Sequence, residues 1–353
     1  MATLYLTEQQ SLVKKEGDTL VVRIPENKET GQSQRKVRVP LLKIDHVVVQ
    51  GNATLTSPAV AALMEQRAEV TFLNQYGRFQ GHLTPAFSKN GQLRLAQIRA
   101  HDNPQQHHHF VQAFVVGKLH NMRTMILRYN RKKEQPDLAT AAQAMSQALQ
   151  AARATVPDPH QPDPQRPQAD SVYGRLQGIE GNATAHYFRS FPHLLNDPTL
   201  FNGRSRRPPR DPVNALLSYG YTILLNQILS AICTVGLDPY IGYLHSSQYG
   251  KPALALDLME EFRPLIVDSV VLTLLNNNIL KANDFIETRG TYRLTDHGRR
   301  TFLTKLESRF DETITHPTFN YKATYRRSLE LQTRLLAKTI MGEIPTYPPF
   351  ITR

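Results

Sequence analysis

The stretch Leu254–Pro264, LALDLMEEFRP, sets three acids into an apolar run: Asp257, Glu260 and Glu261. It reads as part of a helix over 252–262, with Pro264 starting a new helix or kinking the old one. Residues three or four apart share a helix face, so Asp257 pairs equally well with Glu260 or with Glu261. Spacing alone leaves that choice open. Upstream, GYLH carries His245, and GIEGNATAHYF carries Glu180 between Gly178 and Gly181. Two carboxylates and one imidazole can converge on a hard divalent cation: oxygen ligands suit Mg2+ or Mn2+, and one imidazole fits Mn2+. Taken singly, each residue has a plainer reading. Glu180 reads as an exposed glutamate in a turn, its glycines allowing close backbone approach, and His245 as an ordinary satisfied histidine.

Further upstream the period changes. Residues 1–86 alternate or run apolar with β-branched residues, which predicts short strands. SPAVAALMEQRA interrupts them as a helix, with Ser57 as N-cap and Pro58 in the first turn. From about residue 94 the pattern is helical. The segment 106–133 carries an apolar stripe at Phe110, Phe114, Leu119, Met122, Ile126 and Tyr129. Later helices are expected over 264–280, 297–315 and 321–340. The stretch 155–170 holds five prolines in sixteen residues and is expected to be an exposed loop. The fold class is therefore α+β and multidomain: a β-sandwich-like unit over 1–86, a linker over 87–93, and a larger α-helical catalytic domain over 94–353.

The chain has 353 residues and a net charge of +12, which points to nucleic acid or an anionic surface as partner. No uninterrupted run of eighteen apolar residues occurs, so no membrane partner is expected. The N-terminal segment lacks the build of a signal peptide, and a lone cysteine, Cys233, expected in the core, fits a cytoplasmic setting. Arg204, Arg206, Arg207 and Arg210, stiffened by Pro208 and Pro209, are expected to bind DNA phosphates. Lys118, Arg123, Arg128, Arg131, Lys132 and Lys133 read as a second basic surface, for DNA, an acidic partner or solvent. His107–His109 are consecutive on a helix and point different ways, which argues against one metal site. His186 is a lesser candidate beside Glu180, and Tyr219 and Tyr221 read as core.

The blocks GIEGNATAHYF, RRPPRDPVNALLSYGY, GYLHSSQYGKPALALDLMEEFRPLIVD and LTDHGRR, in this order, resemble the CRISPR-associated integrase–nuclease family, Cas1. So do TSPAVAALMEQRAEVTFLNQYGRFQGHL and GKLHNMRTMILR, and the resemblance covers nearly the whole chain. It implies metal ligands at Glu180, His245 and Glu260, with Asp257 at a position often acidic and sometimes counted with them. It also implies a homodimer in contact through the β units, assembly with the small protein Cas2, and insertion of short DNA fragments into a CRISPR array, the spacer-acquisition step of antiviral defence. The proline-rich stretch is longer than the family pattern suggests. A 3′-hydroxyl attacking a phosphodiester needs no protein nucleophile and no ATP, and no phosphate-binding GxxxxGK[ST] loop is present. Alternatives are a structure-specific endonuclease, a mobile-element integrase outside CRISPR, or a non-catalytic DNA-binding scaffold.

Overall fold

A computed structural model describes residues 2–26, 33–75, 77, 79–85, 90–156, 171–205, 208–246 and 248–352. The proline-rich stretch beyond Val156, and Arg206 and Arg207, lie outside the described residues. The chain divides into two compact units, 1–88 and 89–353.

The first unit contains β1 (Ala2–Leu6), β2 (Ser11–Glu16), β3 (Thr19–Ile24), β4 (Arg35–Pro40), β5 (Ile44–Gln50), β6 (Ala53–Leu55), α1 (Ser57–Glu65), β7 (Glu69–Leu73) and β8 (Phe79–Leu83). One sheet has the order β1-β5-β7-β8, with β5 parallel to both β1 and β7 and with β8 antiparallel. The other has the order β4-β3-β2-β6, with β2 parallel to β6. The apolar run Val47–Val49 lies in β5, which is buried along nearly its whole length, as an internal parallel strand should be. Val13, Leu20 and Val22 from one sheet share an apolar core with Leu6, Val47, Val49 and Val70 from the other, and with Ala59 and Leu63 of α1. The N-cap of α1 is Thr56 rather than Ser57: Thr56 keeps an extended backbone, and its hydroxyl donates to Val13 O at 3.2 Å.

The second unit holds α2 (Gly91–Asp102), α3 (Pro104–Lys133), α4 (Pro136–Arg153), α5 (Val172–Leu194), α6 (Pro212–Val235), α7 (Ala253–Arg263), α8 (Ser269–Asn276), α9 (Asp296–Phe310) and α10 (Tyr325–Ile340). Residues 91–93, expected in a linker, form the first turn of α2, because the Asn90 side chain accepts from Leu93 N. The helices expected over 264–280, 297–315 and 321–340 need trimming. Pro264 cannot donate, and the chain widens into one π turn over Pro264–Asp268 before continuing as α8. The helix α9 stops at Phe310, after which Thr313–Thr315 (β11) pairs with Lys322–Thr324 (β12). A second hairpin joins Phe285–Thr288 (β9) to Thr291–Leu294 (β10).

On average α6 is long and apolar enough to cross a membrane, but more than half of that window is buried among the other helices, including α7 and α10. Cys233 on α6 is half-buried rather than fully buried. The long helix α3 packs against α4, α5 and α7, which brings Glu180 of α5 and the acids of α7 to its middle.

Candidate active site

Glu180 lies in the interior of α5, not in a turn, and is half-buried. Glu260 lies in α7 with its side chain only 2 % exposed. Between them sits Lys118, from the middle of α3 and 3 % exposed. Its ammonium pairs with Glu180 Oε1 and lies 2.7 Å from Glu260 Oε2. On the other side of Glu260, Arg263 Nη1 lies 3.1 Å from Oε1, and His245 Nε2 lies 3.8 Å from the same oxygen. Burial alone would raise the Glu260 pKa, but Arg263, Lys118 and His245 outweigh it and hold the carboxyl down at about 2.

The His245 loop is fixed from behind. Asp257 is fully buried and accepts from the backbone N–H of Tyr243 at 2.6 Å, Leu244 at 3.0 Å and His245 at 2.9 Å. His245 Nδ1 lies 2.8 Å from Asp257 Oδ1, which assigns the proton to Nδ1 and leaves the Nε2 lone pair toward Glu260. Gly242 lets this loop lie against the start of α7, since a Cβ there would meet the Ala253 carbonyl carbon at 2.7 Å. Asp257 is therefore an orienting group: the contacts of its carboxylate are with the 243–245 loop, and it stands behind the imidazole rather than beside the other carboxylates.

Glu261 does not reach Arg263 or solvent. It is buried, accepting from Phe350 N at 2.8 Å and from the Tyr347 hydroxyl at 2.9 Å, and burial pushes its carboxyl up to about 8. Tyr221 is not plain core. Its hydroxyl donates to the buried Asp268 at 2.6 Å beside Tyr187 at 2.8 Å, and Arg263 lies over its ring at 4.9 Å. Burial pushes the Asp268 carboxyl up to about 6.

The expected basic surfaces are also rearranged. Lys118 is not on a surface. Arg204 is held inward, its Nη1 donating to Asn214 Oδ1 at 2.6 Å and its guanidinium lying over Phe188 and Tyr221. Arg210 is exposed. Arg128, Lys132 and Lys133 of α3 line a cleft of about 580 Å³ with Lys305 and Arg309 of α9. The three consecutive histidines go to three places. His107 lies against His101 O and Tyr243 O, His108 against Thr155, and His109 accepts from Tyr347 N. Burial lowers His107 to about 4. His186 is half-buried.

Sequence reasoning missed Lys118 at the centre. The signal was present: Lys118 stands one turn from Phe114 and one turn from Met122, inside the apolar stripe of α3. Among the described residues no three His, Cys, Asp or Glu side chains stand ready-made around a metal, and an ammonium lies between the two carboxylates. The donor set nevertheless suits a hard divalent cation: two carboxylates drawn together around a positive charge, and an imidazole nitrogen oriented beside them.

Residues 4–308 match the family described as CRISPR associated protein Cas1. The chain is 37 % identical over 353 residues to a CRISPR-associated endonuclease Cas1 of Thermus thermophilus, covering all of this chain and 98 % of that protein. It is also 37 % identical over 359 residues to a Cas4 exonuclease/Cas1 endonuclease fusion of Geobacter sulfurreducens, of which it spans 60 %. Among solved structures, a casposase bound to integration product superposes with a TM-score of 0.84 at 22 % identity, covering this whole chain and 95 % of the other, a likeness of fold. A Cas6-RT-Cas1–Cas2 complex matches with a TM-score of 0.75 at 25 % identity, over all of this chain and 36 % of the larger one. A family match over most of the chain, and relatives above one-third identity along all of it, place this protein in the CRISPR-associated Cas1 family.

Proposed function

We propose that this protein is a divalent-metal-dependent DNA integrase and endonuclease that inserts short DNA fragments into a CRISPR array. The observation that carries the reading is that Glu260 is linked to Glu180 through Lys118 at one oxygen and approached by His245 at the other, three residues from three separate segments. These three would hold the metal, Mg2+ or Mn2+. When bound, it supplies Lewis-acid stabilisation of charge on the reacting phosphate and lowers the pKa of the attacking 3′-hydroxyl or water.

The chain's own residues do the rest. Asp257 keeps His245 in one tautomer with Nε2 presented. Arg263 holds one oxygen of Glu260, and Tyr221 braces Arg263 from its face. Gly178 and Gly181 flank Glu180 on an exposed stretch of α5, and a Cβ at either would meet nothing within 4 Å. Helix-interior glycine costs about 1 kcal/mol relative to alanine, so a strip kept bare without a packing reason suits a DNA strand lying close to the helix. The cleft between α3 and α9 suits the phosphate backbone away from the reacting group.

The working form in this reading is a homodimer in contact through β-sandwich-like units, joined by Cas2 and acting on duplex DNA in the cytoplasm. The Cas6-RT-Cas1–Cas2 complex supports the Cas2 partner. The Geobacter fusion supports a Cas4-type exonuclease as a further partner. The complete donor set weighs against a silent scaffold. Glu180→Gln, His245→Ala and Glu260→Gln are each expected to lower Mn2+-dependent transfer of a short duplex into a repeat-bearing plasmid by about 100-fold or more. Wild-type transfer in two of the three would sink the assignment.

A further inference from the structure

We propose that Lys118 is a resident counter-ion, which holds the cation position of this centre and is displaced when a divalent metal enters. The inference deepens the metal reading above and rests on it. Nζ of Lys118 pairs with Glu180 and lies 2.7 Å from Glu260 Oε2, so it occupies the space a cation shared by those oxygens would need. A dication and an ammonium cannot both occupy the space between the same two oxygens. Their mutual repulsion is strong beside Glu260, whose side chain is 2 % exposed, and weaker beside Glu180, at 23 %.

Without a neutralising charge the two carboxylates would repel each other in a buried setting. The lysine removes that repulsion and keeps the pair assembled before metal arrives. Its stem is held in the apolar stripe of α3, between buried Phe114 and buried Met122. Chain fluctuation into bulk water is therefore not its way out. A cavity of about 230 Å³ adjoins it, lined by Lys118 itself with the hydroxyls of Thr184, Ser218 and Thr222 on one part and the cations Arg204 and Arg263 on another, so a displaced ammonium would move toward the hydroxyls. The Ser218 hydroxyl in that lining is buried with no hydrogen-bond partner, and is an acceptor for a displaced ammonium.

The device has a cost and a use. Each metal ion must compete with a tethered cation, so affinity is lower than the ligands alone would give, while the empty site stays ordered. The test is Mn2+ binding to the purified full chain, read from the electron-paramagnetic-resonance signal of free Mn2+, together with thermal melting at rising Mn2+. Lys118→Met, which keeps the stem and removes the charge, is expected to bind Mn2+ about tenfold tighter or more, and to gain more melting temperature from Mn2+ than wild type does. Should that variant not fold without metal, folding restored by Mn2+ but not by NaCl supports the same conclusion. Lys118→Arg keeps the charge and is expected to bind Mn2+ no more tightly than wild type. Equal or weaker Mn2+ affinity in folded Lys118→Met overturns the counter-ion role while leaving the metal reading intact. Absence of Mn2+ binding in wild type and Lys118→Met alike overturns both.

Discussion

Adjacent glutamates on α7 have opposite surroundings. Glu260 faces Arg263, Lys118 and the His245 imidazole and is held ionised, whereas Glu261, about 100° further round the helix, faces the segment Tyr347–Phe350 and is pushed toward its neutral form. Helical spacing could not separate them, since both lie within one turn of Asp257; only the resemblance picked Glu260. Their variants should differ in kind. Glu261→Ala leaves the Phe350 N–H and the Tyr347 hydroxyl without their acceptor, at about 1–3 kcal/mol for each buried group left unpaired. It is therefore expected to lower the melting temperature by several degrees while strand transfer per folded molecule stays near wild type. An unchanged melting curve would show that the contacts of the C-terminal segment carry no stability. Lys118 was legible as a charged residue within an apolar stripe, but which charges it would meet depended on helices more than 60 positions away in sequence.

At the scale of elements, the stretch around Glu180 shows why turn signals mislead. Two glycines three apart suggested a turn, yet α5 runs through both, capped by the Ser171 side chain and carried by buried Leu176, Ala183 and Tyr187. Packing of that apolar face outweighs the glycine cost. Gly178→Ala and Gly181→Ala are each expected to stabilise the fold by about 0.5–1 kcal/mol, with a higher midpoint in urea. The same variants should bind duplex DNA more weakly, because the added methyls stand where the strand would lie. Stabilisation with unaltered DNA affinity would remove the close-approach role from the strip. The short strands β9 to β12 were not legible at all: three or four residues carry too little alternation to distinguish from a loop. The helical period of α3 was plain, because its stripe extends over many turns.

For the whole molecule, the positive balance seen in composition is not spread evenly. Part of it gathers at the cleft between α3 and α9, where Glu312 is the one acid in the described lining. Replacing Arg128, Lys132 and Lys305 together with Ala should weaken duplex binding uniformly across sequences and reduce the slope of log K against log salt by about 2–3. A slope like that of wild type would move the DNA path off this cleft. The division into a strand-rich and a helix-rich part was visible from the change of period near residue 90, whereas the strand order was not, since alternation says nothing about which strand lies beside which. That order has a consequence for biosynthesis. Because β1 pairs in parallel with β5, Leu4 opposite Val47, the ribosome must deliver about forty further residues before β1 finds a neighbour. Once out of the ribosome, β1 therefore stays unpaired until β5 follows it, an interval in which its backbone can pair with another nascent chain instead.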